Sequence, residues 1–282
     1  MKKLLAPLVA LVVAVFVLAG CGGSSAESTA DATGAGKAAY TEADLGEGFV
    51  FKHGFDLDYR PYSYIDDEGN NAGFDVEMAQ ALCELYGWEY KAVPFNWDSK
   101  DAELNSGGCD CIWAGFTMNG REDDYQWSEP YSDNTQMIMV KKGSDIKTIE
   151  DLAGKKVGVQ TGTSALEMLQ DEDRQKALAD TFGDLVVTEN YTVAITELEA
   201  GSVDALAIDA TRAAEAMAKN EKLVCLDEEL GSEQYGVGFR KGDTVLCEKI
   251  NEGLKTLSEN GTVDKIAKKY PEIAEYLTLG KK

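Results

Sequence analysis

One nine-residue pattern occurs twice in this 282-residue chain, and it constrains the fold more than any other feature. Leu104-Asn105-Ser106-Gly107-Gly108-Cys109-Asp110-Cys111-Ile112 matches Leu198-Glu199-Ala200-Gly201-Ser202-Val203-Asp204-Ala205-Leu206 as Leu-x-small-Gly-x-x-Asp-x-aliphatic. Each copy has the grammar of a helix end, a glycine stop in left-handed conformation, a turn aspartate and a strand entering a sheet. Two copies point to two similar α/β units with a cleft between them. Asp110 and Asp204 read as turn residues rather than catalysts.

The flanking periodicity agrees. Strands are expected over 49–52, 89–94 and 109–113, with a helix over 75–86 and another before Gly107. Val76, Ala79, Leu82, Cys83 and Tyr86 recur at three- and four-residue intervals, the spacing of one apolar helical stripe. The grammar restarts at Thr148: a short helix to Gly154, a strand over 156–159, then Ser164-Ala165-Leu166-Glu167 as a capping box. Further strands fit 185–188, 205–208, 223–226 and 236–239, with a final helix over 244–259. Strands separated by helices imply a parallel, layered α/β sheet. Ligands of such sheets sit beyond the carboxyl ends of the strands, which selects 114–121 and Asp209 as cleft-facing positions.

The chain is about twice an average domain in length, so two folding units are expected. Fifty acidic against 27 basic residues give a formal charge of -23, which excludes a nucleic-acid partner and electrostatic docking on anionic lipid. Two lysines, an apolar run from Leu4 to Leu18, then Ala19-Gly20-Cys21 have the layout of a secretory signal peptide. Fifteen apolar residues fall short of the roughly 20 that span a bilayer. Leu18-Ala19-Gly20-Cys21 also resembles the bacterial lipobox, which implies cleavage after 1–20 and lipidation at Cys21. Residues 21–45 are small and polar and read as a flexible tether. Cys83, Cys109, Cys111, Cys225 and Cys247 then remain. They read as core residues, with export permitting one disulfide. Cys109-x-Cys111 on a strand points both side chains to one face, yet no second pair or clustered histidine completes a zinc site, so no metal or other cofactor is expected.

The chain resembles the polar amino-acid family of extracellular solute-binding proteins serving ABC importers. The resemblance covers roughly 49–270. It rests on Asp56-x-x-Tyr59-x-Pro61-Tyr62, Gly73-Phe74-Asp75-Val76-Glu77, the repeated Gly-x-x-Asp turn, Ala114-Gly115-Phe116-Thr117 with Arg121, Trp127-Ser128-Glu129-Pro130-Tyr131, Val159-Gln160-Thr161-Gly162-Thr163 and Tyr235-Gly236-Val237-Gly238-Phe239. No single piece is specific, whereas seven in order are. The resemblance implies a two-lobed α/β periplasmic-binding-protein fold, type II-like, with two crossing hinge strands. It places a discontinuous first lobe over 46–131 plus 236–282, a second over 137–232, and hinges near 132–136 and 233–235.

It also implies a membrane-anchored receptor that binds a free amino acid between two closing lobes and delivers it to an ABC permease. Such a chain would be monomeric and held by its lipid on the extracellular face of the bacterial membrane. A zwitterion leaving water needs both charges met, because an unpaired buried charge costs several kcal/mol. Arg121 fits the ligand carboxylate, since a guanidinium is a planar two-pronged donor. Asp209 fits the ammonium, with the Gly115 carbonyl. Thr117 would add a hydroxyl and an N–H, and the N–H groups around Thr163 and Ser164 would hold the carboxylate from the second lobe. Tyr59 and Trp97 match aromatic positions that sandwich the ligand side chain, while Asp56 and Gln160 match positions that read it. Asp56 disfavours an acidic ligand and suits a polar or basic one. The family pattern Thr-x-Thr-x-Glu-Arg is one residue shorter here, Thr117-Met118-Asn119-Gly120-Arg121, which makes Asn119 a further candidate to touch ligand. The lone His53 reads as a strand-end residue with a satisfied ring.

Two other functions fit the same fold. Dehydratases acting on prephenate-like acids share it, but no phosphate loop, zinc-protease or serine-hydrolase motif is present, so no catalytic residue is assigned. Extracellular sensors share it too. No hydrophobic span follows in the sequence to Lys282, so a sensor of this kind would signal only through a partner.

Overall fold

A computed structural model describes residues 39–280. The expected leader, Cys21 and most of the tether lie outside the described residues. The tether ends earlier than 45. Tyr40 donates to Asp110 at 2.6 Å, and Leu45 is buried with its carbonyl accepting from Trp88 at 3.1 Å.

In chain order the elements are strands β1 (Val50–Asp56), β2 (Asp58–Tyr59), β3 (Ser63–Ile65) and β4 (Asn71–Ala72), helix α1 (Phe74–Tyr86), β5 (Glu89–Phe95), α2 (Lys100–Ser106), β6 (Cys111–Thr117), β7 (Gln126–Trp127) and β8 (Ser132–Lys141). Then come β9 (Lys156–Gln160), α3 (Ser164–Gln170), α4 (Lys176–Ala179), β10 (Asp184–Thr188), α5 (Tyr191–Ala200), β11 (Ala205–Asp209), α6 (Ala210–Lys219), β12 (Leu223–Phe239), α7 (Thr244–Glu259) and α8 (Thr262–Ala267).

The two copies of the sequence pattern occupy the same place in two units of the same topology. In the first half, β1 pairs in parallel with β5 and β6. In the second, β9 pairs in parallel with β10 and β11. Gly107 ends α2 at φ 75° and Gly201 ends α5 at φ 82°, both in the left-handed region that favours glycine. The aspartates do more than turn the chain. Asp110 accepts from the Lys52 N–H at 2.9 Å and Asp204 from the Lys156 N–H at 2.9 Å, so each carboxylate fixes the first residues of the central strand of its unit.

Between the units run two long strands. β8 and β12 pair antiparallel from Leu223 opposite Lys141 to Tyr235 opposite Ser132, with β11 flanking β8 and β6 flanking β12. The sheet is therefore mixed, in the order β10-β9-β11-β8-β12-β6-β1-β5, rather than wholly parallel. The strands expected over 223–226 and 236–239 are the two ends of one strand, β12. Its polar centre lacks the alternating apolar signal because it crosses from one half to the other. Helix α7 returns to pack its Leu246, Ile250, Leu254 and Leu257 face against α1. Each such buried aliphatic contributes roughly 1.5–3 kcal/mol of transfer free energy.

Three local readings are corrected. Thr163, not Ser164, caps α3, its hydroxyl accepting from the Leu166 N–H at 3.3 Å, and Ser164 is the first helical residue. Cys109 precedes β6 and packs with Phe55 and Phe95, whereas Cys111 packs with Phe51 and Trp113, so the pair does not share a face. His53 lies within β1 rather than at its end. Its Nε2 donates to the Trp113 carbonyl at 2.7 Å and its Nδ1 faces the Tyr90 hydroxyl at 3.1 Å. All five described cysteines are free thiols.

Candidate functional site

All ten proposed ligand residues border one small cavity of about 30 Å3, together with Ala114 and Tyr191. It opens between the carboxyl ends of β1 and β6 on one side and of β9 and β11 on the other. From the first half come Asp56, Tyr59, Trp97, Gly115, Thr117 and Arg121. From the second come Gln160, Thr163, Ser164 and Asp209.

Gly115 is where the backbone needs glycine. Its φ is 57°, and a Cβ there would stand 2.3 Å from the Tyr59 ring. Its N–H donates to Asp75 at 2.7 Å, a buried carboxyl that also accepts from Tyr131 at 2.7 Å and is pushed up to about 7 by desolvation. After Thr117 the shortened loop is a tight turn. The Arg121 N–H donates to the Met118 carbonyl at 3.0 Å, and Gly120 takes φ 82°. Asn119 points away from the cavity and accepts from the Gln234 N–H at 2.7 Å, so it is not a lining residue.

Arg121 is buried by the residues around it. Its Nε and Nη2 donate to Glu167 at 3.1 and 2.7 Å, Nη1 to the Thr117 carbonyl at 3.3 Å and Nη2 to the Gly162 carbonyl at 3.3 Å. Glu167 lies on α3 in the second half and its side chain is 44% exposed, so this ion pair bridges the cleft at a wet edge. Other contacts also join the halves. Trp97 donates to the Gly162 carbonyl at 2.8 Å, Thr117 to the Ser164 hydroxyl at 3.3 Å, and Asp58 accepts from the Thr192 N–H and hydroxyl at 3.1 and 2.9 Å.

Asp209 has a denser environment. Its Oδ1 accepts from Gln136 at 2.6 Å, Asn134 at 2.8 Å and Tyr235 at 2.8 Å, while Oδ2 accepts from Tyr191. Asp56 is also buried. Its carboxyl accepts from the Asp58 N–H at 2.8 Å and is pushed up to about 7, first by desolvation. Tyr59 stacks on Tyr62 with ring centres 5.5 Å apart and bonds the Tyr235 hydroxyl at 2.6 Å, so it is both core and cavity wall.

The geometry is that of a small polar chamber with a cation at one pole, an anion at the other and aromatic walls. Residues 51–272 match the family model of bacterial extracellular solute-binding proteins, family 3. The chain belongs to that family. Among its curated relatives is a probable histidine-binding protein of Neisseria gonorrhoeae, 31% identical over 96% of each chain. The L-cystine-binding protein TcyJ of Escherichia coli K12 is 32% identical over 77% of this chain and 80% of its own. Among solved structures, the ancestral amino-acid-binding protein AncCDT-1, described as a precursor of cyclohexadienyl dehydratase, superposes with TM-score 0.71 at 33% identity, over 78% of this chain and 95% of its own. The family 3 fold of this chain is the two-lobed α/β periplasmic-binding-protein fold, type II-like, with β8 and β12 as its two crossing strands. Among the described residues no group of histidine, cysteine and carboxylate side chains could hold a metal ion, and no helix is long and apolar enough to cross a membrane.

Sequence reasoning passed over Tyr191, Tyr235, Asn134, Gln136 and Glu233. Tyr191 was reachable: it follows β10, and the rule that selected Asp209 after β11 applies equally to the residues after β10. The other four sit on the crossing strands, where position in sequence says nothing about nearness to the cavity.

Proposed function

We propose that this family 3 protein is a lipid-anchored receptor that closes on one free amino acid with a polar or basic side chain and presents it to the permease subunits of an ABC importer. The observation that carries this reading is that Arg121 and Asp209, from opposite halves, border one cavity. A ligand carboxylate would exchange with the present partners of Arg121, and the ammonium would sit against Asp209. Each charge then keeps a partner out of bulk water. Because both halves hold the same zwitterion, binding and closure are one event.

Asp56 shapes the side-chain preference. A carboxyl held near 7 accepts from an amide in its charged form and donates to a carbonyl in its neutral form. A cationic side chain beside it would pull it back down. An acidic side chain meets a like charge whenever Asp56 is ionised. Relatives named for histidine and for cystine support the amino-acid class without choosing its member.

Anchoring rests on the Leu18-Ala19-Gly20-Cys21 segment, outside the described residues. Mass spectrometry of the mature chain should find a diacyl- or triacyl-modified Cys21 as the first residue. An unmodified Cys21 would sink the anchor.

A thermal-shift screen of the free amino acids tests the main reading. Binding to the native state alone adds about 2.7 kcal/mol of stability at a hundredfold excess over Kd. One or a few polar or basic amino acids should raise Tm in this way. Silence from all of them, or steady turnover of a prephenate-like acid, would instead favour the dehydratase reading that the AncCDT-1 likeness keeps in view.

A further inference from the structure

Behind Asp209, outside the cavity wall, the crossing strands bury polar side chains. Ser132, Asn134 and Gln136 on β8 and Glu233 and Tyr235 on β12 face inward and are buried, while Asp133 and Gln234 between them face out. This departs from the usual alternation of a half-buried strand, apolar inside and polar outside, because both faces are polar here.

Two carboxylates meet there. Asn134 Nδ2 donates to Asp209 Oδ1 at 2.8 Å and to Glu233 Oε1 at 2.7 Å. Gln136 Nε2 reaches the same two oxygens at 2.6 and 2.9 Å, and the Ser164 hydroxyl at 3.2 Å. With the amide nitrogens committed to carboxylates, Asn134 Oδ1, Gln136 Oε1 and Glu233 Oε2 are buried and accept from no protein group. The cluster therefore has more acceptors than donors. A buried carboxylate oxygen without a donor costs several kcal/mol while it is charged. Arg212 on α6, which is buried, is engaged with Glu215.

We propose that Glu233 carries a proton in the ligand-free protein, beside the Asp209 carboxylate, and that a ligand ammonium arriving at Asp209 expels it. The inference rests on the amino-acid-receptor reading above. The O–H bond of Glu233 breaks, the proton passes to solvent, and the incoming ammonium restores the charge it removed. Glu233 is thus a positioning residue: it acts on the ligand through Asp209 and the two bridging amides.

The groups facing Glu233 are Asp209 from β11, Ser164 from α3, Tyr191 from α5, and Tyr235 from its own strand, with Tyr59 bonded to Tyr235. Desolvation first, then the Asp209 charge, raises the Glu233 carboxyl well above the ordinary carboxylate range, while Ser164, Asn134 and Gln136 oppose them. The sign follows. A carboxyl whose pKa is high when ligand-free and lower when ligand-bound releases a proton on binding, so affinity rises with pH below neutrality and levels off above it.

The test has one arm without ligand and one with it. Infrared difference spectra of the ligand-free chain between pH 6 and pH 9 should show a protonated-carboxyl band that Glu233→Gln removes. Asp209→Asn, which deletes the opposing charge, should remove it near pH 7. A band pattern identical in all three proteins overturns the proposal whether or not any ligand is known. For the ligand arm, calorimetry at pH 6.5 uses the free amino acid giving the largest shift in the screen, in two buffers of different ionisation enthalpy, corrected for any titration of the amino acid itself. Wild type should release close to one proton more than Glu233→Gln, and its affinity should rise by up to about tenfold per pH unit. Asp56 titrates alike in both proteins and cancels. Equal release and equal pH profiles overturn the proposal while leaving the receptor reading intact. A band assigned to Glu233 with no amino acid binding defeats the receptor reading and leaves the Glu233 proton standing.

Discussion

Arg121 follows β6 and Asp209 closes β11, equivalent places in two units of one topology, yet their charges are held differently. Asp209 is fixed from several directions by Asn134, Gln136, Tyr191 and Tyr235, all buried. Arg121 leans on two backbone carbonyls and on Glu167, a carboxylate 44% exposed on the opposite rim. The anion pole is thus preorganised within the crossing strands, while the cation pole keeps one carbonyl of its own half, Thr117, and takes its other partners, Glu167 and Gly162, from the half across the cleft. A repeated fold gives the two poles the same address but not the same rigidity.

Removing the cation should break this comparison most severely. Arg121→Ala leaves a ligand carboxylate without its two-pronged donor, and truncating one partner of a buried charge pair costs about 3 kcal/mol, roughly a hundredfold in Kd. Ligand-induced stabilisation in the amino-acid screen should vanish, and an undiminished Tm shift would strip Arg121 of its role. Asp209→Asn should cost less, about tenfold in Kd by titration calorimetry, because an amide carbonyl still accepts from the ammonium. A loss as large as that of Arg121→Ala would show that charge, not preorganised acceptance, governs this pole.

Acid sensitivity should separate the halves next. The chain's only histidine, His53, lies in the first half, where burial depresses its pKa from 6.5 to about 4. A base depressed in the folded state contributes no penalty above pH 6.5, and the penalty grows as pH falls toward 4. At about pH 5.5 it amounts to roughly 1 kcal/mol. In urea unfolding, wild type should lose about that much more stability than His53→Gln between neutral pH and 5.5. Parallel pH profiles would remove His53 from the account.

The smallest effect belongs to Glu167→Gln. A partly exposed ion pair is worth about 0.5 kcal/mol, so freeing Arg121 from this competitor should tighten amino-acid binding about twofold. Weaker binding would mean that Glu167 serves closure more than it competes for Arg121.

Much of this was legible in the chain. The α7 helix matches its expected 244–259 span because its i, i+3, i+4 pattern and flanking turns are local signals. The repeated Gly-x-x-Asp turn located both units for the same reason. The β12 strand looks like two fragments in sequence, since its centre runs Asp227-Glu228-Glu229, then Gly231-Ser232-Glu233, with no alternating apolar face. Ser164 mimics a cap in the sequence, whereas Thr163 offers the same chemistry one residue earlier and takes the role.

By itself the sequence determined the two-unit plan, the places where strands end, and which charged and aromatic side chains stand there, because helix stops, turns and strand entries are written over a few neighbouring residues. The tertiary structure alone decided that Glu233, Asn134 and Gln136 gather behind Asp209 and that Glu167 meets Arg121. Those meetings depend on the register of two crossing strands and on the closure of one half against the other. Both are set by contacts between residues far apart in the chain, which no local pattern encodes.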